Sequence, residues 1–250
     1  MIAKTETGRL YERVAEDLAR KIAAGQYGVG RRLPSERDLA QTYAVSRPTI
    51  REAIIALELD GMVEVRVGSG VYVMARSPRD GHAGEMDVGP FELLEARRAI
   101  EGERAALAAA LVTDAQLDEL QRLVAEIQAE NARDVVMSED ADRRFHMLIA
   151  TATQNSAMVA AVQMLWDARA RSPQTKLLSA KAQAAGVTPS IDEHAAILQA
   201  LRQRSPDAAR RAMRDHLTRV LTSLLAATEV HELEQARARI AAERKRYGAD

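Results

Sequence analysis

The chain has 250 residues, 35 Lys and Arg against 36 Asp and Glu, and a net charge of −1. The length leaves room for one to two domains. The charge balance excludes a globally basic nucleic-acid coat and a disordered acidic tail protein, while leaving DNA binding by one local patch open. The absence of cysteine excludes a disulfide scaffold, a Cys-ligated zinc and a thiol nucleophile. Aromatic residues make up 3% of the chain and alanines number 47, which points to closely packed helices because Ala has the best intrinsic helix propensity.

Met1 to Gly8 has no apolar signal-peptide core. The longest apolar run, Ala105 to Val112, is far short of the ~20 residues that span a bilayer. The expectation is a soluble, cytoplasmic protein with no membrane partner.

In chain order, Leu10, Val14, Leu18 and Ile22 repeat every fourth residue and predict a first helix, closed by Gly25 to Gly30. Ser35 followed by Asp38 reads as an N-cap with an acidic third residue, opening a short helix over Glu36 to Tyr43. Ala44-Val45 makes a tight turn. Ser46 then caps a third helix with Pro48 in its first turn, and this helix buries Ile50, Ala53, Ile54 and Leu57 before Gly61 stops it. Val63, Val65 and Val67 alternate, Gly68-Ser69-Gly70 turns the chain, and Val71 and Val73 alternate back, as in a two-stranded hairpin. Three helices and a hairpin outline a winged helix-turn-helix over 7–76, with the helix-turn-helix at about 35–54 and the wing at about 62–74. Residues 77–89, rich in Gly and charge, read as a linker. From Pro90 the pattern is helical, with spans at 90–112, 114–131, 134–153, 156–171, 174–185, 190–204 and 206–229. They form a second domain over 90–230, followed by a charged tail over 231–250. The expected fold class is mainly α: a winged helix-turn-helix followed by an all-helical bundle.

Between Arg31 and Arg51 five arginines face only Glu36 and Asp38. Arg47 and Arg51 are one turn apart, which predicts that both project from one face of the third helix. Arginine reads guanine edges in a major groove, and a helix N-terminus offers amides to phosphate. A solvated charged face is the plainer alternative. Of five histidines, His82 and His231 fall in the linker and tail. Asp142 and His146 stand four apart on one helix, and His194 and His216 sit on two later helices. Three imidazoles and a carboxylate suit one Zn, Ni or Mn ion per chain. Separate surface histidines are the alternative. Arg97 and Glu101 could equally be a surface i, i+4 pair.

The run Leu33 to Val73, LPSERDLAQTYAVSRPTIREAIIALELDGMVEVRVGSGVYV, resembles the DNA-binding head of GntR-type bacterial transcription regulators. The resemblance implies base and phosphate contacts by Arg37, Arg47 and Arg51, backbone contacts by Ser46 and Thr49, and Gly68 at the wing tip in the minor groove. Arg66 is a phosphate candidate on charge alone. Residues from about Pro90 to Leu225 resemble the helical effector domain of the FadR-type subfamily. Its metal-binding members carry Asp-x-x-x-His and two later histidines, which implies Asp142, His146, His194 and His216 as ligands. Glu95-Ala-Arg97-Arg-Ala-Ile-Glu101 matches its first effector helix, where the arginine meets a ligand carboxylate. Gly89 to Arg97, Ala150 to Ala157 and the stretch around Trp166 resemble the hexuronate-operon repressors (UxuR/ExuR type). That implies a hexuronate-like acid held by Arg97 and the metal, with Asn155, Gln154 and Arg169 on its hydroxyls.

The expected function is a homodimeric repressor that leaves double-stranded operator DNA when the acid binds. A metal-dependent sugar-acid hydrolase or isomerase is the competing reading. No His-Glu-x-x-His or paired Glu-x-x-His motif supports it, so the expectation is no enzyme. A structural metal with a closed shell of protein ligands is a third reading.

Overall fold

The computed structural model describes residues 9–66, 69–78, 88–132, 140–184 and 190–246. Ten helices and one two-stranded sheet lie among them. They divide into two compact units: Met1–Phe91 with Pro173–Lys181 and Leu225–Asp250, and Glu92–Ser172 with Ala182–Leu224.

In the first unit, α1 (Leu10–Ala23) is a strongly amphipathic helix whose Val14, Leu18 and Ile22 are fully buried. Leu10, at the head of the same stripe, is 47% exposed. Ser35 Oγ accepts the Asp38 N–H and donates to Asp38 Oδ2, opening α2 (Glu36–Tyr43) as its sequence requires. Ala44 ends α2 in the left-handed conformation at φ 54°, an unusual duty for a residue with a Cβ. Its reward is the tight turn that places Ser46 as cap of α3 (Arg47–Leu59), where Ser46 Oγ accepts the Thr49 N–H. Ile50, Ala53, Ile54 and Leu57 of α3 join Val14, Leu18 and Ile22 in one apolar cluster.

The wing is β1 (Val63–Arg66) paired antiparallel with β2 (Gly70–Val73), with Val63 opposite Val73 and Val65 opposite Val71. The alternating valines therefore close over the three-helix core. Leu33 N–H donates to the Val71 carbonyl, and Arg32 bridges to Tyr72, so the segment before α2 lies along the wing. At Gly70, φ 110°, a Cβ would collide with the Arg32 guanidinium, so only glycine fits.

The remaining helices are α4 (Pro90–Leu111), α5 (Asp114–Ala132), α6 (Asp140–Ala152), α7 (Ser156–Arg171), α8 (Pro173–Ala184), α9 (Ile191–Arg202) and α10 (Pro206–Arg246). Helix α10 runs well past the span 206–229 that the apolar period marks. Beyond Leu225 the sequence is rich in Ala, Glu and Arg, good helix formers, with no Gly or Pro before Gly248. The apolar faces of α5, α6 and α9 meet in the second unit through buried Leu120, Leu123, Ile127, Phe145, Ile149, Ile197 and Leu201. Among the described residues no helix is long and apolar enough to cross a membrane.

Candidate DNA-reading face and metal centre

The two helices of the turn present their arginines unequally. Arg37 is 79% exposed and Arg47 53% exposed, with the Glu36 carboxylate 3.8 Å from Arg47. Arg51 departs from the expected pair of outward arginines. It is 4% exposed, its Nε donates to both Glu36 oxygens at 3.0 and 2.8 Å, and one Nη approaches the Leu225 carbonyl at 3.5 Å. The reason lies in α3, which is buried on two faces. Ile50, Ala53, Ile54 and Leu57 meet the head core, while Arg51, Glu52 and Ile55 are buried on another side. Distant parts of the first unit reach that side: Phe91 N–H donates to Glu52 at 3.0 Å, and Lys181 Nζ to Glu58 at 2.6 Å. Ser46 and Thr49 share a hydrogen bond at the cap. Arg66 lies over the Tyr72 ring and pairs with Glu64. Gly68 lies outside the described residues.

The second unit holds a cluster of different character. Asp142 and His146 on α6, His194 on α9 and His216 on α10 bring one ligand atom each within 4.8 Å of one another. The three imidazoles are 0 to 4% exposed. Each ring's Nδ1 faces an acceptor: His146 faces Glu101, His194 the Ser190 carbonyl at 2.8 Å, and His216 the Glu193 carboxylate at 2.8 Å. An Nδ1–H held this way leaves Nε2 as the lone-pair nitrogen, and such outer partners fix the tautomer of metal-ligating histidines. Among the described residues, His146 Nε2 is buried with no hydrogen-bond partner. Three oriented nitrogens and one carboxylate fit a divalent cation.

The electrostatics divide the cluster. Burial alone would raise Asp142, but the imidazoles of His146 and His194 beside it hold it well below the usual carboxylate range. Burial pushes Glu101 up as well, and the charges of Arg97, His146 and Arg104 outweigh it, so Glu101 stays ionised. His216 is pushed down to about 4 by burial, which keeps its ring neutral. Burial also favours neutral His194, yet the Asp142 carboxylate 2.8 Å away raises it overall.

Beside this cluster Arg97 Nε donates to Glu101 at 2.8 Å, and its guanidinium lies 4.1 Å above the Trp166 ring. Among the described residues, Arg97 Nη2, Arg104 Nε and Nη1, and Trp166 Nε1 are buried with no hydrogen-bond partner. All are donors, so the cluster is short of acceptors.

The profile of the family described as bacterial regulatory proteins, gntR family, matches residues 10–73, and that of the FCD domain matches residues 92–219. The chain is 40% identical over 218 residues to the Exu regulon transcriptional regulator of Escherichia coli (strain K12), covering 85% of this chain and 83% of that one. It belongs to the GntR family. Two further relatives are the Uxu operon regulator of Haemophilus influenzae, 35% identical over 231 residues (90% of this chain, 85% of that one), and the Uxu operon transcriptional regulator of Escherichia coli (strain K12), 33% identical over 240 residues (93% of each). This GntR protein is a DNA-binding transcriptional regulator and not an enzyme. Its FCD region contains the His/Asp group described above.

Within this GntR regulator the residues expected on the effector divide. Arg97 is in the cluster. Arg169 is half-buried, its guanidinium 5.8 Å from the Trp166 ring centroid. Gln154 and Asn155 are exposed at the α6–α7 turn, where Gln154 adopts φ 54° and Asn155 Oδ1 caps α7 by accepting from Ala157 and Met158 N–H. Sequence reasoning passed over Arg104. The signal was available: Arg97, Glu101 and Arg104 are spaced i, i+4, i+7, a charged stripe on one face of a helix otherwise rich in Ala and Leu.

Proposed function

We propose that this chain is a repressor of hexuronate-utilisation genes that releases its operator when a carboxylate effector binds at a metal in the helical domain. The carrying observation is the set of buried histidines with every Nδ1 occupied, beside buried donors that lack acceptors. The names of the Exu and Uxu relatives support the hexuronate class. Functionally the chain divides into a DNA-binding head over 7–76, a linker over 77–89 and an effector domain over 90–230. Asp142, His146, His194 and His216 would hold one divalent ion per chain, Zn, Ni or Mn, which supplies a Lewis-acidic seat for one carboxylate. Arg97 orients that carboxylate: its Nη2 has no other acceptor, and its planar fork matches two oxygens. Glu101, Glu193 and the Ser190 carbonyl hold the rings in place.

In the head, Arg37 and Arg47 read DNA directly, with Ser46 and Thr49 presenting the start of α3 to phosphate. The family resemblance adds Gly68 as a minor-groove contact. Arg51 acts in the described conformation by tying α3 to α2 through Glu36. The working form is a cytoplasmic homodimer, whose two-fold symmetry matches two operator half-sites.

The test is an operator gel shift with metal-loaded and metal-free protein, titrated with D-galacturonate, D-glucuronate and the corresponding neutral hexoses. Release by an acid, only with metal and not by its neutral hexose, is expected. Release by the neutral hexoses, or no release by either acid, overturns the reading.

A further inference from the structure

Arg97 and the metal account for one carboxylate, and they leave three buried donor atoms unexplained. Arg104 carries two of them. Its side chain is 1% exposed, and its Nη2 donates to the His146 carbonyl at 3.2 Å and lies 3.4 Å from Glu101 Oε2. Among the described residues its Nε and Nη1 are buried with no hydrogen-bond partner, as is Trp166 Nε1. Helix geometry puts Arg104 on the same stripe of α4 as Arg97, two turns along, with Glu101 between them binding both. The Trp166 ring lies under the Arg97 guanidinium and 5.4 Å from the His146 ring. The spare donors therefore border Arg97, which the effector reading places on the ligand's carboxylate, and His146, which it places on the metal.

Burying an N–H with nothing to accept it is costly, and such groups in a folded core call for an explanation. Glu101 cannot supply it. Its two oxygens already take Arg97, Arg104 Nη2 and His146. The missing partners are oxygen acceptors from outside the chain.

We propose that Arg104 and Trp166 form a second reading point, donating to hydroxyl or keto oxygens of the acid other than its metal-held carboxylate. This rests on the effector reading above and deepens it into a substrate class. A polyoxygenated acid satisfies the donors. An aliphatic acid of equal length leaves them stranded, because a methylene accepts nothing. An amino acid is also excluded, since its ammonium group would face a guanidinium.

Titration calorimetry on the metal-loaded full-length chain tests this with two six-carbon acids, D-galacturonate and hexanoate. Wild type should bind galacturonate at least roughly tenfold tighter than hexanoate. Trp166→Phe keeps an aromatic ring beneath Arg97 and removes the N–H together with part of the indole's apolar surface. It should lose about fivefold in galacturonate affinity and leave hexanoate affinity unchanged. Arg104→Met, checked for retained metal by elemental analysis and for folding by circular dichroism, should lose more, again for galacturonate alone. Equal binding of the two acids by wild type, or equal losses for both acids in Trp166→Phe, overturns the second reading point while leaving an acid site standing. Failure of both acids to bind wild type removes the effector reading and this proposal with it.

Discussion

Both halves of the chain are built around arginine and carboxylate, and they use the pair in opposite ways. In the head Arg37 and Arg47, the proposed DNA contacts, are more than half exposed, and the buried Arg51 is matched by Glu36. In the helical half Arg97 and Arg104 are at most 3% exposed, share a single carboxylate, and keep donor nitrogens with no partner. A surface that meets DNA needs cations that are available but solvated, since the phosphate backbone replaces water and counterions as partner. A small-molecule site gains more from donors already stripped of water, because the ligand then supplies acceptors that the protein withholds.

The strongest way to break the contrast is to remove the metal ligands. Elemental analysis should find about one divalent ion per wild-type chain and almost none in His194→Ala. Glu193→Gln, which removes the carboxylate that faces His216 Nδ1 and pairs with Arg219, should weaken metal affinity roughly 10–100-fold. Metal retention should also fall with acid pH, since a histidine must be neutral to coordinate. Metal content unchanged when His146, His194 and His216 are removed together would show that the cluster is structural.

Next in size is Glu101→Gln. It leaves two buried guanidiniums without their counter-charge, and breaking a buried pair on one side costs about 3–5 kcal/mol. Denaturant unfolding of the metal-free protein measures it. A loss below 1 kcal/mol would mean that water, and not Glu101, compensates Arg97 and Arg104.

The head sharpens the comparison with a smaller pair of effects. Arg47→Ala should weaken operator binding by about 1–3 kcal/mol through a lost base contact and leave thermal stability near wild type. Arg51→Ala should lower stability as well, by about 1–3 kcal/mol, because Glu36 loses two charge-assisted hydrogen bonds. Identical stability for the two variants would return Arg51 to the role of a plain DNA contact.

The smallest effect concerns pH. Tyr43 OH and Lys21 Nζ both reach Asp17 in the head. Partial burial pushes Asp17 up, but hydrogen bonds from Lys21, Tyr43 and Arg20 outweigh it and lower the pKa from 3.8 to about 2. A depressed carboxylate stabilises the fold above its unfolded value and loses that contribution as pH falls through the folded one. The share of Asp17 is therefore complete above 3.8 and fades toward about 2. The carboxylate is partly solvated, so the effect should stay below about 1 kcal/mol. Asp17→Asn should flatten this part of an acid unfolding series. An unchanged acid limb would assign it to other carboxylates.

The sequence by itself determined the head almost completely, because there the signals are local. Ser35 and Ser46 cap the helices they precede, the valines of the wing alternate with the register observed, and the i, i+4 stripe of α1 enters the core from Val14 onward. The four metal-ligand candidates were legible too, through the i, i+4 spacing of Asp142 and His146 and the resemblance that joined His194 and His216 to them. What only the tertiary structure decided are the partners brought from far along the chain. Glu101 stands 45 residues from the His146 ring it holds, and no periodicity announces that meeting. Arg51 is withdrawn from solvent beside Glu36 and the Leu225 carbonyl, neither of which its helical spacing reveals. Asn155, expected on the effector by resemblance, caps α7, because its side-chain carbonyl oxygen accepts two N–H groups of the first turn. Local hydrogen bonding and periodicity can be read from neighbours in the sequence, whereas burial and charge compensation depend on which distant residues fill the surrounding space.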